Sequence, residues 1–297
     1  MYDAKVLADS VSPAGVCLIT VQATFPRFIL AEVNTHRVFS RNSASSRAIP
    51  PEKHIERVRE HPFVPEVFCE RVKGMGQGAP IEDQEVARED WLQAAAYACT
   101  QAELLMEHGI SKSHVNRLLE PFLWHTAIIS STAWENFFAL RCPEGEEVDL
   151  DFPAQPEFQR VAILMRRAMR ASSPQPVGPH AWHLPLVSGE DREIARRSRA
   201  QDPSWDDGRW LAEVSAGRCA RVSFDRQGEY EDPEDSRRRA RRLLEAGHLS
   251  PFEHPATPSV SGSGNFTGWL QLRGTVPNEA NRVGAIEGRA GWEVVPT

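Results

Sequence analysis

"THRVFSRNSASSR", residues 35–47, sets three arginines, one histidine and five hydroxyl side chains into thirteen positions. Hydroxyls and an asparagine at the mouth of a helix can join the free backbone amides there in holding a phosphate. Arginine adds charge-assisted, bidentate bonds. If the stretch is helical, Arg37 and Arg41 share a face, being four residues apart. Two readings stay open on composition alone: an anion cradle, or a serine-rich, solvated helix start.

Working outward, residues 15–33 are rich in β-branched and aromatic side chains and read as two short strands around Pro26. "IPPEK" ends whatever the quoted stretch forms. Residues 82–108 carry Ala, Leu and Trp at helical spacing, with Gly109 where a C-cap belongs. Ser111 opens a second helix to about Glu120, broken by Pro121. Residues 126–141 suit a buried strand or a helix equally, and 154–171 are helical. Four prolines in 172–185 mark a linker. Beyond it, 190–199 and 207–217 read as short helices, 219–224 as a brief strand or turn, and 264–276 as a strand. "DPEDSRRRARRLLEAG" is a helix with acids first and arginines later, as the helix dipole favours. The pattern implies an α+β (α/β) protein, a central mixed sheet flanked by helices. Its organisation is a first part at 1–171, a proline-rich linker at 172–189 and a segment at 190–297 that completes the same domain.

The bulk composition narrows the function. A net charge of −7 argues against a general nucleic-acid surface, so an anionic ligand must be met by local arginine. Only Lys5, Lys53, Lys73 and Lys112 are lysine among 34 basic residues, and arginine is the better fork for phosphate. No apolar run reaches membrane-spanning length and the N-terminus lacks a signal-peptide layout, so the expectation is a cytoplasmic protein without a membrane partner. Cys17, Cys69, Cys99, Cys142 and Cys219 are scattered, without a CxxC pair, and read as reduced thiols.

A second constellation is "GHLSPFEH", residues 247–254. His248, Glu253 and His254 suit a metal by type but not by spacing, and no metal is expected. A histidine on a rigid proline turn can instead flank a planar ring or move protons, or the turn is structural. "HAWH" (180–183) lies in the linker and reads as surface, and "RRR" (237–239) reads as a solvated helix face. There is no GxGxxG, P-loop or GxSxG.

The separated stretches resemble the motifs of the flavin-dependent thymidylate synthases. "THRVFSRNSASSR" is similar to the signature RHRxxSxNxxSxR, matching His36, Arg37, Ser40, Asn42, Ser45 and Arg47 in spacing. "CARVSF" (219–224) resembles AARVSF, "GHLSPFEH" resembles GHxSPxEH, and "NRLLEP" (116–121) is loosely like ARxxLP. "NFFALR" followed by "AQPEF" resembles the NFLxLR…AQxEI pair. In that family the AARVSF and GHxSPxEH segments precede the signature, whereas here they follow it. The resemblance therefore implies a circular permutation, which a domain tolerates when its original ends lie close. Pro26–Arg37 and Phe266–Arg273 both resemble the strand leading into the signature.

The resemblance implies a homotetramer in which FAD, reduced by NADPH, works beside dUMP while methylenetetrahydrofolate supplies the carbon. By matched position His36, Arg37, Ser40, Asn42 and Ser223 would hold FAD, with Asn136 and His248 near flavin and folate. Ser45, Arg47 and Arg117 would hold the nucleotide phosphate and Arg141 the pyrimidine edge. Arg141 and His248 are the expected catalytic residues, and Glu32 an expected substrate contact. Departures are Thr35 for the first Arg of the signature, Ser43 for Glu, Ala48 for Tyr and Glu32 for Gln. An amide exchanged for a carboxylate reverses what a site can donate. The expectation is one-carbon transfer to C5 of a pyrimidine nucleotide, dUMP to dTMP. The alternatives are a hydroxymethylase acting on dUMP or dCMP, and a non-catalytic nucleotide- and flavin-binding assembly protein.

Overall fold

Two antiparallel strands start the chain, β1 (Asp3–Val11) and β2 (Cys17–Pro26), closed by a turn with Gly15 at φ +79°. The computed structural model describes residues 1–74, 76–224, 231–260 and 264–276. After β2 come a 3-10 turn and the single-turn α1 (Leu30–Val33), then β3 (Ser40–Ser43), α2 (Pro51–Glu60) and α3 (Gln84–Glu107). Next are α4 (Lys112–Val115), a 3-10 segment over Asn116–Phe122, β4 (Trp124–Ser131), α5 (Glu135–Arg141) and α6 (Pro156–Arg170). A two-residue β5 (Gln175–Pro176) leads to α7 (Gly189–Gln201), α8 (Asp207–Cys219) and α9 (Pro233–Glu245). The small pair β6 (Ala256–Pro258) and β7 (Trp269–Gln271) follows.

The main sheet runs β3-β4-β2-β1-β5, antiparallel except where β5 lies parallel to β1. It is a mixed sheet flanked by helices, as the sequence pattern implies. Side chains alternate across it. Val21, Ala23 and Phe25 of β2, with Ala127 and Ile129 of β4, meet Phe158, Val161, Ala162 and Met165 of α6. The opposite face carries Leu18, Thr20, Ile128 and Ser130, and the segment beyond residue 180 covers it. Leu18 packs with Ala256, Phe266 and Trp269, and Ile128 with Cys219 and Val222.

Between these apolar patches lies a buried chain of hydroxyls and imidazoles. His183 reaches Ser10 through Nδ1 at 2.8 Å and Thr20 through Nε2 at 2.7 Å. Thr20 meets Ser130 at 2.6 Å, and Ser130 meets His254 Nδ1 at 2.8 Å. Burial holds both imidazoles neutral, with pKa values lowered to about 3. With each hydroxyl proton used inside the chain, the bonds all run one way or all the other, so the two tautomers are set together.

Several sequence expectations change. The quoted stretch is not a helix start: its middle is β3, drawn into the sheet because β4 offers an unpaired edge. Arg37 and Arg41 therefore share no helix face. Residues 15–33 hold one strand, after which Arg27–Val33 turn helical, and β1 was not foreseen. Residues 126–141 are both alternatives in succession, β4 and then α5. The helix after Ser111 tightens to 3-10 geometry before Pro121, which lacks the amide an α-helix needs. Residues 219–224 end in a 3-10 turn, and the strand expected over 264–276 shrinks to β7. His183 is wholly buried although it lies in the proline-rich stretch. "RRR" is no solvated face either. Arg237 lies over Trp210 at 5.8 Å and Arg239 pairs with Glu231, while only Arg238 is exposed. Residues 277–297 of the last predicted segment lie outside the described residues.

Replacing Thr20 by valine strands His183 Nε2 in the interior and leaves the Ser130 hydroxyl with His254 alone. The expected loss is about 1–3 kcal/mol of unfolding free energy in urea titration, and an unchanged midpoint would show that the hydroxyl is dispensable. His36 and His54 are also depressed, to about 4, and His125 to about 3, in each case first by burial. Folded pKa values below the ordinary 6.5 mean that the unfolded chain binds more protons. Stability is therefore complete above pH ~6.5 and falls towards pH ~3, by about 1.4 kcal/mol per pH unit for each titrating histidine. Denaturation at a series of pH values checks this slope.

Candidate active site

Register in the sheet decides where the signature residues go. Ser40 and Asn42 of β3 stand opposite Ser130 and Ile128, and so face the covering segment. The backbone then leaves the ladder, and the Ser45 amide donates to the Ser223 carbonyl at 3.2 Å. That bond joins two stretches nearly two hundred residues apart. The amides of Ala48 and Ile49 donate back to the Ser45 carbonyl, closing a turn that leaves Arg47 exposed.

A cavity of about 610 Å³ opens at this junction. Asn42, Ser45 and Arg47 line it from one side, and Ser223, His248 and Ser250 from the other, with Arg239 and Arg242 of α9. His248 follows Gly247, whose φ of +77° ends α9, and its own amide donates to the Leu243 carbonyl at 2.8 Å. Asn42 is buried, and its Oδ1 has no partner among the described residues. An unfilled acceptor on a cavity wall suits a ligand N–H.

An adjoining basin of about 320 Å³ shares Asn42, Ser45, Arg47, Ser223 and Ser250, and adds Arg27, Arg41 and Arg117. Glu120 organises its floor, accepting from Ser46 at 2.7 Å, Arg27 at 2.8 Å and Arg117 at 2.9 Å. Burial works to raise the Glu120 carboxyl, but Ser46 and the two guanidiniums bring it below the usual carboxylate range. Arg41 is fixed by donation to the Val33 and His36 carbonyls at 3.0 and 3.3 Å. Among the described residues Arg47 carries no ion pair. Four guanidiniums around one carboxylate leave an excess of positive charge, which suits an oxyanion.

The other expected site residues lie elsewhere in the chain. His36 is buried, stacked on Phe39 at 5.6 Å and edge-on to Phe137 at 5.1 Å. Arg141 donates its Nε–H to His36 Nε2 at 3.3 Å and lies over Phe158 at 4.7 Å. An arginine only donates, so Nε2 accepts and the imidazole proton sits on Nδ1. Burial first, then Arg141 and Arg41, hold His36 neutral. Ser40 is occupied inside the fold, accepting from Gln271 at 2.8 Å and Asn265 at 3.2 Å. Arg37 and Asn136 are exposed, Glu32 is half-buried, and none of the three lines either cavity. His254 belongs to the buried chain, and Glu253 pairs with Arg273 at 2.5 Å. The described residues contain no cluster of three or more metal-ligating side chains.

Sequence reading missed Arg27, Glu120, Arg239, Arg242 and Ser250. Arg27 left a trace, as a charge set inside the apolar run "TFPRFIL". The others sit at ordinary helix and turn positions.

A sequence model described as thymidylate synthase complementing protein matches residues 6–175. No curated protein matches the chain. The UMP/dUMP methylase PolB from Streptomyces cacaoi, solved with 5-Br UMP, is 17% identical over 57% of this chain and 88% of its own, with a TM-score of 0.45. Thymidylate Synthase X from Helicobacter pylori, solved with FAD and dUMP, is 18% identical over 51% of this chain and 67% of its own, with a TM-score of 0.34.

Arg47→Ala and Arg117→Ala should each weaken binding of a phosphate monoester at least tenfold, since a hydrogen bond to a charged group contributes about 1.5–3 kcal/mol. Titration calorimetry at fixed ionic strength reads this, and undiminished affinity in both variants would remove the basin as a phosphate site.

Proposed function

This chain belongs to the thymidylate synthase complementing protein family, and from that premise we propose that it transfers a one-carbon unit from methylenetetrahydrofolate to C5 of a pyrimidine nucleotide, converting dUMP to dTMP with FAD and NADPH. The observation that carries the reading is the junction itself. The Ser45 amide bonds to the Ser223 carbonyl, and one cavity is lined from both sides by segments that resemble the family's motifs. A circular permutation accounts for that meeting: the family match ends at residue 175, and the resembling tail lies beyond it.

In this reading Ser45, Arg47 and Arg117 hold the 5′-phosphate, with Glu120 keeping Arg117 in place. Asn42 Oδ1 supplies an acceptor for a ring N–H. Ser223 and His248 contribute the flavin side of the cavity, and Arg239 and Arg242 add charge for phosphates. The cavity's unfilled amide oxygen and its cationic wall fit FAD. When bound and reduced by NADPH, FAD supplies the electrons that finish the transferred carbon as a methyl group.

His36 is a positioning residue that accepts from the Arg141 guanidinium. Arg141 would stabilise negative charge developing on the pyrimidine. On the face that carries the exposed Arg37 and Asn136 and the half-buried Arg141, Val38 and Leu140 are also open, at 46% and 49% exposure. A second copy of the chain, as part of a homotetramer, would bring that face and Glu32 to the cavity. No thiol is used, and burial pushes Cys219 up to about 12.

The test is incubation of the purified protein with dUMP, methylenetetrahydrofolate, FAD and NADPH, with product mass read by spectrometry. A gain of one methyl group is expected, and it should fall by two orders of magnitude or more in Arg141→Ala. A hydroxymethyl mass would transfer the reading to the hydroxymethylase alternative. Unchanged nucleotide from dUMP, UMP and dCMP alike would overturn it.

A further inference from the structure

Behind the phosphate basin lies a second cavity, of about 300 Å³, between α2 and the start of β4. His54 and Arg57 of α2, His125 and Thr126 of β4, and Arg27 line it, with Leu123 and Trp124 among its apolar walls. Several of its polar atoms lack partners among the described residues. His125 is 1% exposed and His54 5%. Arg27 NH1 donates to His125 Nδ1 at 2.8 Å. A guanidinium has only donors, so Nδ1 accepts and the proton of this imidazole sits on Nε2. Among the described residues that Nε2–H is buried without an acceptor, the Arg27 Nε–H likewise, and neither ring nitrogen of His54 has a partner.

A neutral imidazole has one N–H and one bare nitrogen, so the unpaired groups of the residues lining this cavity are three donors, from Arg27, His125 and His54, against the single acceptor nitrogen of His54. Leaving even one such donor unpaired in an interior is unfavourable. Among the described residues no carboxylate lines the cavity. Glu120, the acid nearest in the network, is taken up by Arg27, Arg117 and Ser46. What is missing is therefore an acceptor with several lone pairs.

We propose that this cavity is a binding site for a small oxyanion, a carboxylate or a phosphate, held by Arg27, His54 and His125 and separate from the nucleotide site. The apolar walls leave room for a short hydrocarbon body on a carboxylate. Inorganic phosphate presents the same oxygens without one. Arg27 and Ala44 also line the phosphate basin in front, so the guanidinium forms the partition between the two sites. The inference stands whether or not the chain is a methyltransferase.

The test is ring-nitrogen NMR of the full chain labelled with 15N-histidine, titrated with sodium acetate, sodium butyrate and inorganic phosphate against sodium chloride at matched ionic strength. The expected result is saturable shifts of the His54 and His125 ring signals with acetate, butyrate or phosphate, and not with chloride. Butyrate binding tighter than phosphate would assign a carboxylate with a hydrocarbon body, and the reverse order would assign phosphate. Arg47→Ala, at a residue that does not line this cavity, should leave these shifts in place. His54→Phe, with an unchanged circular dichroism spectrum, should weaken them at the His125 ring at least tenfold. Rings that respond to none of the oxyanions, or that respond only while Arg47 is present, would overturn the site.

Discussion

Everything on the ligand side of this molecule depends on a row of polar side chains that the fold has chosen to bury. Ser10, Thr20 and Ser130 stand on the sheet face away from α6, and two histidines from the far end of the chain complete their hydrogen bonds. An unmet hydroxyl there would cost more than its burial gains. The histidines must also be neutral, since a charged imidazole sealed from water carries a heavy desolvation penalty. The segment beyond residue 180 thus docks on the sheet in one register, because another would leave the row unsatisfied. Leu18 against Trp269 and Ile128 against Cys219 supply the apolar part of the same interface.

That docking makes the site. Asn42 and Ser40 share the buried face with Ser130, so the strand carrying half of the signature is already turned towards the tail. Ser40 is consumed in holding Gln271 and Asn265, and Asn42, two residues on, has a side-chain carbonyl oxygen that no described residue meets. Alpha-9, whose arginines line the cavity, packs closely on α8. A Cβ at Gly217 would stand 1.9 Å from the Ser236 carbonyl oxygen, so only glycine allows the helices that approach. Alpha-9 then delivers Arg239 and Arg242 to one rim and His248 to the turn beyond it.

Charge is handled by the same economy. Glu120 gathers Arg27, Arg117 and Ser46, which lets two guanidiniums lie close together without an ion of their own each. Arg27 in turn fixes the tautomer of His125, and Arg141 fixes that of His36. In both pairs a permanent donor decides where the neighbouring proton resides. The basin in front and the cavity behind share the Arg27 guanidinium, whose burial against Glu120 keeps it in one place.

The chain by itself determined the elements whose periodicity is strong and the residues whose motif is local. Residues 84–107 form the long helix their Ala and Leu spacing implies, and Asn42, Ser45, Arg47, Ser223 and His248 meet as their motifs suggest. Spacing sets a helix face because 3.6 residues complete a turn, whatever the neighbours do. Where two elements compete for the same backbone, local sequence is silent. The signature became a strand because β4 had an open edge, and His183 became core because polar groups on the sheet needed imidazoles. His36, Ser40 and Arg141 match the motif equally well, yet within one chain they serve the interior. Arg27 and Glu120, far apart in sequence, became partners only through packing. Tertiary structure decided these points, since hydrogen-bond satisfaction is a property of the whole interior and of no single segment.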